Sequence, residues 1–334
     1  MPIGEFDLID RYFRPLGSAP RRGPRGVVLG VGDDAALLDV PAGQWLVAAL
    51  DTLVEGTHFL PGCDPLSIGH RALAVNLSDL AAMGSEPAWA LLGLTLPSAE
   101  ERFIEAFARG FGDLAARFGV SLVGGDTTSG PLAASVQVLG FVPPGQALRR
   151  DGGAVGDLVF VSGTPGDAAA GLGLERGPAG GLTVPTGAAA AATTLRNRFL
   201  FPTPRVDLGL ALRGLASACI DVSDGLAADA GKLASASGCG LRLDVEALPL
   251  SEALLDVAGL FRAREFALTG GDDYELCFSV PPSRLAELAD ALERGGCAAR
   301  CIGVLEPEAG LRVRLDGRDS GLPTAGFDHF RCAL

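Results

Sequence analysis

The chain has a single lysine, Lys232, and no GxxxxGK[ST] segment. P-loop enzymes, and mechanisms of the protein-kinase type that set a lysine on the phosphates, are thereby excluded. Only three histidines occur, His58, His70 and His329. None stands in a nucleophile pattern with serine or cysteine, so hydrolytic triad chemistry has no basis. Seven cysteines form no CxxC pair, and Cys297 and Cys301, the one close pair, have no histidine nearby. They read as structural thiols rather than a zinc site. Apolar runs are broken by Gly, Asp or Pro well before the ~18 residues of a membrane helix. The acidic opening MPIGEFDLIDRYF has neither the basic region nor the apolar core of a leader peptide. A net charge of −13 works against nucleic-acid backbones and anionic membranes as partners. The expectation is a cytoplasmic protein with reduced, mostly buried cysteines, no nucleic-acid partner and no membrane partner.

The 334 residues suffice for two domains, and 48% hydrophobic with 20% charged residues is ordinary for a globular chain. Val, Ile and Leu-rich runs alternate with helical patterns, so the class is mixed α and β. Runs at 27–31, 46–50, 88–96, 119–123 and 134–142 read as strands. Helices are expected over about 66–83, ended by Gly84, and from Ser98 onward, where Glu101 three residues on makes a capping box. Further strands are expected at 157–162, 217–222, 240–244, 275–280 and 299–305, with helices near 225–237 and 283–294. The stretch VPPGQALRRDGGAVGD reads as a boundary, giving domains 1–145 and 146–334. The Gly and Ala-rich segment 175–195 reads as a surface insertion or a loosely specified helix.

Aspartates recur where apolar runs end. GVGDDAA carries Asp33 and Asp34, LVAALDT carries Asp51, SLVGGDTTSG carries Asp126, SACIDVSDG carries Asp221 and Asp224, and FALTGGDDYE carries Asp272 and Asp273. Asp79 stands inside an otherwise apolar helical stretch, AVNLSDLAAMG. Each alone reads equally as a turn or cap. Together they need compensation, because two carboxylates ~4 Å apart repel by ~4 kcal/mol at an effective dielectric of 20. An all-oxygen set of Asp, Thr and Ser suits magnesium rather than zinc or copper, and magnesium held this way completes its shell with water and phosphate oxygens. That points to a nucleotide. Glycine-rich turns at VGGDTTSG and VSGTPGDAAAGLG offer backbone amides to phosphate. Within the opening pair, one aspartate reads as a turn residue that bonds its own backbone, and the second asks for another reason.

In chain order the motifs GEFDLI, GVGDDAA, DTLVEGTHF, AVNLSDLAAMG, GGDTT, GTPGDAAAGL, IDVSDGL and GGDDYEL resemble the thiamine-monophosphate kinase family, from about residue 4 to residue 330. That family belongs to a wider group with aminoimidazole ribonucleotide synthetase, selenophosphate synthetase and a hydrogenase-maturation enzyme. The resemblance implies a two-domain PurM-like fold of α+β or α/β type, with an N-terminal sheet that pairs across a homodimer and a C-terminal α/β domain. It implies direct in-line transfer of the γ-phosphoryl group of ATP to thiamine monophosphate, giving thiamine diphosphate, with several Mg2+ ions. Motif by motif, it makes Asp34, Asp51, Asp79, Asp126, Asp221 and Asp224 magnesium ligands. Gly125, Asp126, Arg150 and Ser223 become ATP contacts, and His58, Asp272 and Phe327 contacts to thiamine phosphate. No side chain is implied as a general base.

The chain departs from the family pattern at three places. Ala49 and Leu50 stand before Asp51 where hydroxyl residues are frequent, so backbone carbonyls or water replace side-chain oxygens there. Asp272 stands where Glu is common, and Phe327 where Trp or Tyr is. The alternative readings are another ATP-using enzyme of the same fold, such as aminoimidazole ribonucleotide synthetase, or a non-catalytic magnesium-nucleotide-binding paralogue. Selenophosphate synthesis needs an early cysteine and lysine, yet the first cysteine is Cys63 and the sole lysine Lys232. The hydrogenase-maturation enzyme ends on a cysteine, and this chain ends RCAL.

Overall fold

A computed structural model describes residues 5–18, 26–327 and 329–330. The chain divides into two compact units, one made of residues 1–80 and 85–145, the other of residues 81–84 and 146–334.

In the first unit a short helix α1 (Glu5–Leu8) and the strand pair β1 (Val27–Leu29) and β2 (Leu37–Leu38) precede β3 (Trp45–Val54), α2 (Pro65–Ala82), β4 (Glu86–Leu96), α3 (Glu101–Phe118), β5 (Ser121–Ser129) and β6 (Ala133–Val142). Four strands form a sheet in the order β3-β6-β4-β5, antiparallel except for β4 and β5. The parallel pair follows from the helical crossover α3 between its strands. Buried Ile104, Phe107, Phe111 and Leu114 give α3 its apolar face. A Cβ at Gly69 of α2 would lie 2.0 Å from the Phe107 carbonyl oxygen, so the two helices approach to a distance only glycine permits. The expected capping box is not formed. The N-cap of α3 is Glu100, with no side-chain cap bond, and Ser98 instead donates to Glu100 at 3.4 Å.

The second unit contains β7 (Leu158–Ser162), α4 (Asp167–Glu175), α5 (Ala189–Leu200), α6 (Val206–Ala211), β8 (Ala218–Val222), α7 (Leu226–Ala236), β9 (Gly240–Asp244), α8 (Glu252–Thr269), β10 (Glu275–Val280), α9 (Leu285–Gly295), β11 (Ala299–Glu306), β12 (Gly310–Leu315) and β13 (Arg318–Asp319). Seven strands run in the order β13-β12-β9-β11-β7-β10-β8, and only β9 and β12 are parallel. Val159, Val161, Ile220, Val222, Leu241 and Leu243 pack with Leu226 and Leu233 of α7 in a core with almost no exposure. The segment 175–195 is part helix, with a 3-10 turn at Gly177–Gly180 and then α5. α8 falls in a stretch with no helical expectation, and Gly259 interrupts it at a φ of 69°.

Cys219, Cys239 and Cys277 are buried, whereas Cys63, Cys297 and Cys301 are partly exposed, so burial of the thiols is less general than expected; Cys332 lies outside the described residues. Among the described residues no helix is long and apolar enough to cross a membrane.

Candidate functional site

In the first unit a cavity of about 790 Å3 is lined by Asp33, Asp34, Gly124 to Thr127, Leu91, Leu92 and Arg14, among others. Two expected magnesium ligands, Asp34 and Asp126, thus face one space, with Gly125 beside them. The Asp33 carboxylate accepts the Asp34 amide at 2.8 Å, so Asp33 is the one of the pair that holds the turn. Gly125 has a φ of 152°, and a Cβ there would sit 1.9 Å from the Leu92 carbonyl oxygen. Its paired position against Leu92 of β4 therefore admits no side chain.

The strand-end picture is corrected here. Asp126 lies within β5 and Asp51 within β3, not at their ends. Both strands run on past the apolar runs that mark them in the sequence because the neighbouring strands continue to pair with them. In β5 only the first three residues are buried, and the strand continues through the more exposed remainder. VGGDTTSG is accordingly strand, not a turn.

Asn76 of α2 links two further candidates. Its side-chain oxygen accepts the Asp51 amide at 2.8 Å, its amide nitrogen donates to Ala72 at 2.9 Å, and Asp79 follows one helical turn on. His58 turns back beyond β3, its Nδ1 accepting the Val54 amide at 3.0 Å. In the neutral ring that bond places the proton on Nε2. Arg14 is the cation that sequence reading missed. It donates to Asp10 at 2.8 Å and to the Val31 carbonyl at 3.1 Å, and it lines the same cavity as Asp34 and Asp126. No motif flags it, since it stands twenty positions before the aspartate it shares the cavity with.

In the second unit β10 runs antiparallel to both β7 and β8. The loops that follow β7 and β8 and the loop that precedes β10 therefore meet at one end of the sheet. They carry GTPGD, SDG and GGDDY. The Asp272 amide donates to the Ser223 carbonyl at 2.9 Å and the Phe327 amide to the Asp224 carbonyl at 3.0 Å. Ser223, Asp224, Asp272 and Phe327 are thus brought together, with the half-exposed Phe327 ring edge-on to His329 at 4.8 Å. Asp221 precedes them in β8, largely buried. Arg150 is exposed, and its carbonyl accepts the Ser237 hydroxyl at 2.9 Å.

One amide of the GTPGD turn and one just beyond it, at the start of α4, are already taken. Gly166 and Ala168 donate to the buried Asp273 carboxylate at 2.6 and 3.2 Å, so they are not presented to a phosphate. Burial pushes the Asp273 carboxyl well above its ordinary range, and these two amides with the Arg198 charge only partly oppose it. Asp229, not singled out in the sequence, accepts the amides of Ser223 and Asp224 at 3.0 and 2.9 Å. Its carboxyl is raised, burial outweighing the bonds and charge from Lys232.

Among the described residues no three His, Cys, Asp or Glu side chains converge into a ready-made metal cage. The donor chemistry at both places is carboxylate and hydroxyl oxygen, which fits magnesium and does not fit a soft metal.

Residues 32–142 match the family model "AIR synthase related protein, N-terminal domain", and residues 154–316 match its C-terminal counterpart. The chain is 46% identical over 331 residues to the thiamine-monophosphate kinase of Escherichia coli strain K12, spanning 99% of both chains. A crystal structure of thiamine-monophosphate kinase from Stenotrophomonas maltophilia K279a is similar with a TM-score of 0.84 at 46% identity, covering 96% of this chain and 99% of that one. A structure of AaThiL complexed with AMPPCP and TMP is similar with a TM-score of 0.75 at 34% identity, covering 98% and 97%.

Proposed function

The chain belongs to the AIR synthase related family and, within it, to the thiamine-monophosphate kinases, and from that premise we propose that it transfers the γ-phosphoryl group of ATP to thiamine monophosphate, yielding thiamine diphosphate and ADP. The observation that carries this reading is likeness along the whole chain, both units included, to a structure holding an ATP analogue together with TMP. Neither an aminoimidazole ribonucleotide synthetase activity nor a purely binding role is favoured by these relatives.

The chemistry asks little of a general base. The attacking group is a phosphate oxygen whose second pKa is near ~6, so it is largely ionised at neutral pH. What the residues must do is hold two polyanions in line and offset their repulsion. Asp34, Asp51, Asp79 and Asp126 of the first unit, with Asp221 and Asp224 of the second, would hold magnesium, which when bound neutralises charge on the transferring group. Gly125 and Asp126 would lie against ATP, with the Ser223 hydroxyl and the Arg150 guanidinium as further contacts. His58, Asp272 and Phe327 would receive thiamine monophosphate, and the Phe327 ring, 44% exposed, offers a face for stacking. Arg14 would lend positive charge within the cavity of Asp34 and Asp126.

A homodimer is part of this reading. β3 is an edge strand of ten residues, and Trp45, Leu46 and Leu50 on it are 56%, 47% and 60% exposed. A long apolar edge left bare is an invitation to pairing, which a second copy answers. Six free thiols among the described residues suit a reducing cytoplasm. Incubation with ATP, magnesium and thiamine monophosphate tests the activity: ADP and thiamine diphosphate should appear together, and absence of thiamine diphosphate at every magnesium level overturns the reading.

A further inference from the structure

The chain leaves glycine's conformational territory to other residues at three described positions, Asp272, Tyr274 and Asp316, with φ of 67°, 51° and 51°. Asp316 sits in the tight turn between β12 and β13. The other two flank Asp273 at the start of β10, a short span of backbone that sets two costly residues next but one to each other. Left-handed backbone costs on the order of 1–2 kcal/mol for such residues and persists only where the surroundings over-determine it.

The surroundings do so here residue by residue. The Asp272 amide is held by the Ser223 carbonyl and the Tyr274 amide by the Val222 carbonyl, each at 2.9 Å. Between them the Asp273 side chain is fastened to Gly166 and Ala168. Immediately beyond, the fully buried Glu275 carboxylate accepts from Ser162, Arg198 and Arg205, the first two at 2.6 Å. Every residue of 272–275 is thus tied down, Asp272 and Asp273 chiefly to the loops after β8 and β7, Tyr274 to the last residue of β8, and Glu275 to the last residue of β7 and two arginines. Strain of this kind is retained where it aims a side chain. The side chain it aims is that of Asp272, whose Oδ1 accepts the Tyr274 hydroxyl at 3.0 Å, while the Tyr274 ring itself is buried.

We infer that Tyr274 is a positioning residue for the thiamine-phosphate contact, its phenol holding the Asp272 carboxylate in one orientation while Asp273 locks the backbone beneath. The inference rests on Asp272 contacting thiamine monophosphate. It also gives the shorter acid at this position a physical reason. An Asp carboxylate at residue 272 lies within reach of the Tyr274 phenol, and one further methylene carries the carboxylate away from that bond.

Steady-state kinetics and calorimetric titration of thiamine monophosphate on the full-length enzyme test this with Tyr274→Phe, Asp272→Asn and Asp272→Glu. Tyr274→Phe should raise the KM and Kd for thiamine monophosphate roughly three- to tenfold, the net worth of about one ordinary hydrogen bond. KM for ATP and kcat should stay within about twofold, since a merely structural role would move all of them together. Asp272→Glu should weaken thiamine monophosphate in the same way and make the further change Tyr274→Phe nearly silent. An unchanged KM for thiamine monophosphate in Tyr274→Phe, or equal rises for both substrates, overturns the inference. If Asp272→Asn leaves the KM for thiamine monophosphate unaltered, the substrate-contact reading of Asp272 falls and the inference with it. If Asp272→Asn raises that KM and Tyr274→Phe does not, only the inference falls.

Discussion

Lys232 sets its ammonium nitrogen 2.5 Å from Asp224 Oδ2 and 2.8 Å from Asp229 Oδ1. The sole lysine of the chain therefore sets one positive charge against the Asp224 and Asp229 carboxylates at the SDG turn. Its position on α7, three residues after Asp229, is what a helical turn requires of an ion pair.

Replacing Lys232 by Met should accordingly leave two close carboxylates with no cation. The metal-free protein should melt at lower temperature than the parent, and magnesium should restore more of the loss, because a cation that binds only the folded state stabilises it by linkage. Thermal melts in chelator and across a magnesium titration check this. A magnesium response no larger than that of the parent contradicts it.

Glu275 gives the clearest pH dependence. Burial works to raise its carboxyl, but the hydrogen bonds and charge of Arg205 and the charge of Arg198 outweigh it and hold it below the ordinary value. A depressed folded-state value means stability that is present above the unfolded pKa and lost as pH falls through the folded one. Glu275→Gln should destabilise by about 3–5 kcal/mol at neutral pH, because two arginines lose their counter-charge. That deficit should shrink below about pH 4.5, the ordinary Glu value, as the parent carboxylate is itself protonated. Denaturant melts across pH 3 to 8, on the order of one unit apart, measure it.

Asp126 is exposed and shares its cavity with Asp34. Asp126→Asn should lower kcat/KM for magnesium-ATP by about 100-fold, a loss of ~2.7 kcal/mol in transition-state binding, while the melting temperature moves by no more than ~2 °C. A fall in activity matched by a fall in melting temperature would instead make Asp126 a structural residue.

Leu46, on the bare edge of β3, is the place to probe self-association. A charge on an edge strand blocks pairing, so Leu46→Glu should shift the protein from dimer to monomer in sedimentation or light scattering. A dimer that survives this change does not pair through β3.

The motif aspartates and the alternation of apolar runs were legible in the sequence, because local pattern reflects what a segment buries and because short-range chemistry, such as Asp33 capping Asp34, needs no distant partner. The lengths of β3 and β5 were not, since their outer halves are held by ladder bonds to strands far along the chain. Nor was α8, in a stretch where helical periodicity is broken at Gly259. Lys232 looked like an ordinary helix residue until Asp224 was found within 2.5 Å, and Arg14 until the β1 and β2 turn placed Asp34 in its cavity. The amides of Gly166 and Ala168 looked available to phosphate until Asp273, more than a hundred residues on, took both. By itself the sequence determined which chemical groups the protein owns and which of them sit in turns. Tertiary structure alone decided which are neutralised, which are buried and which are aimed, because charge pairing, desolvation and backbone strain depend on distances that only folding creates.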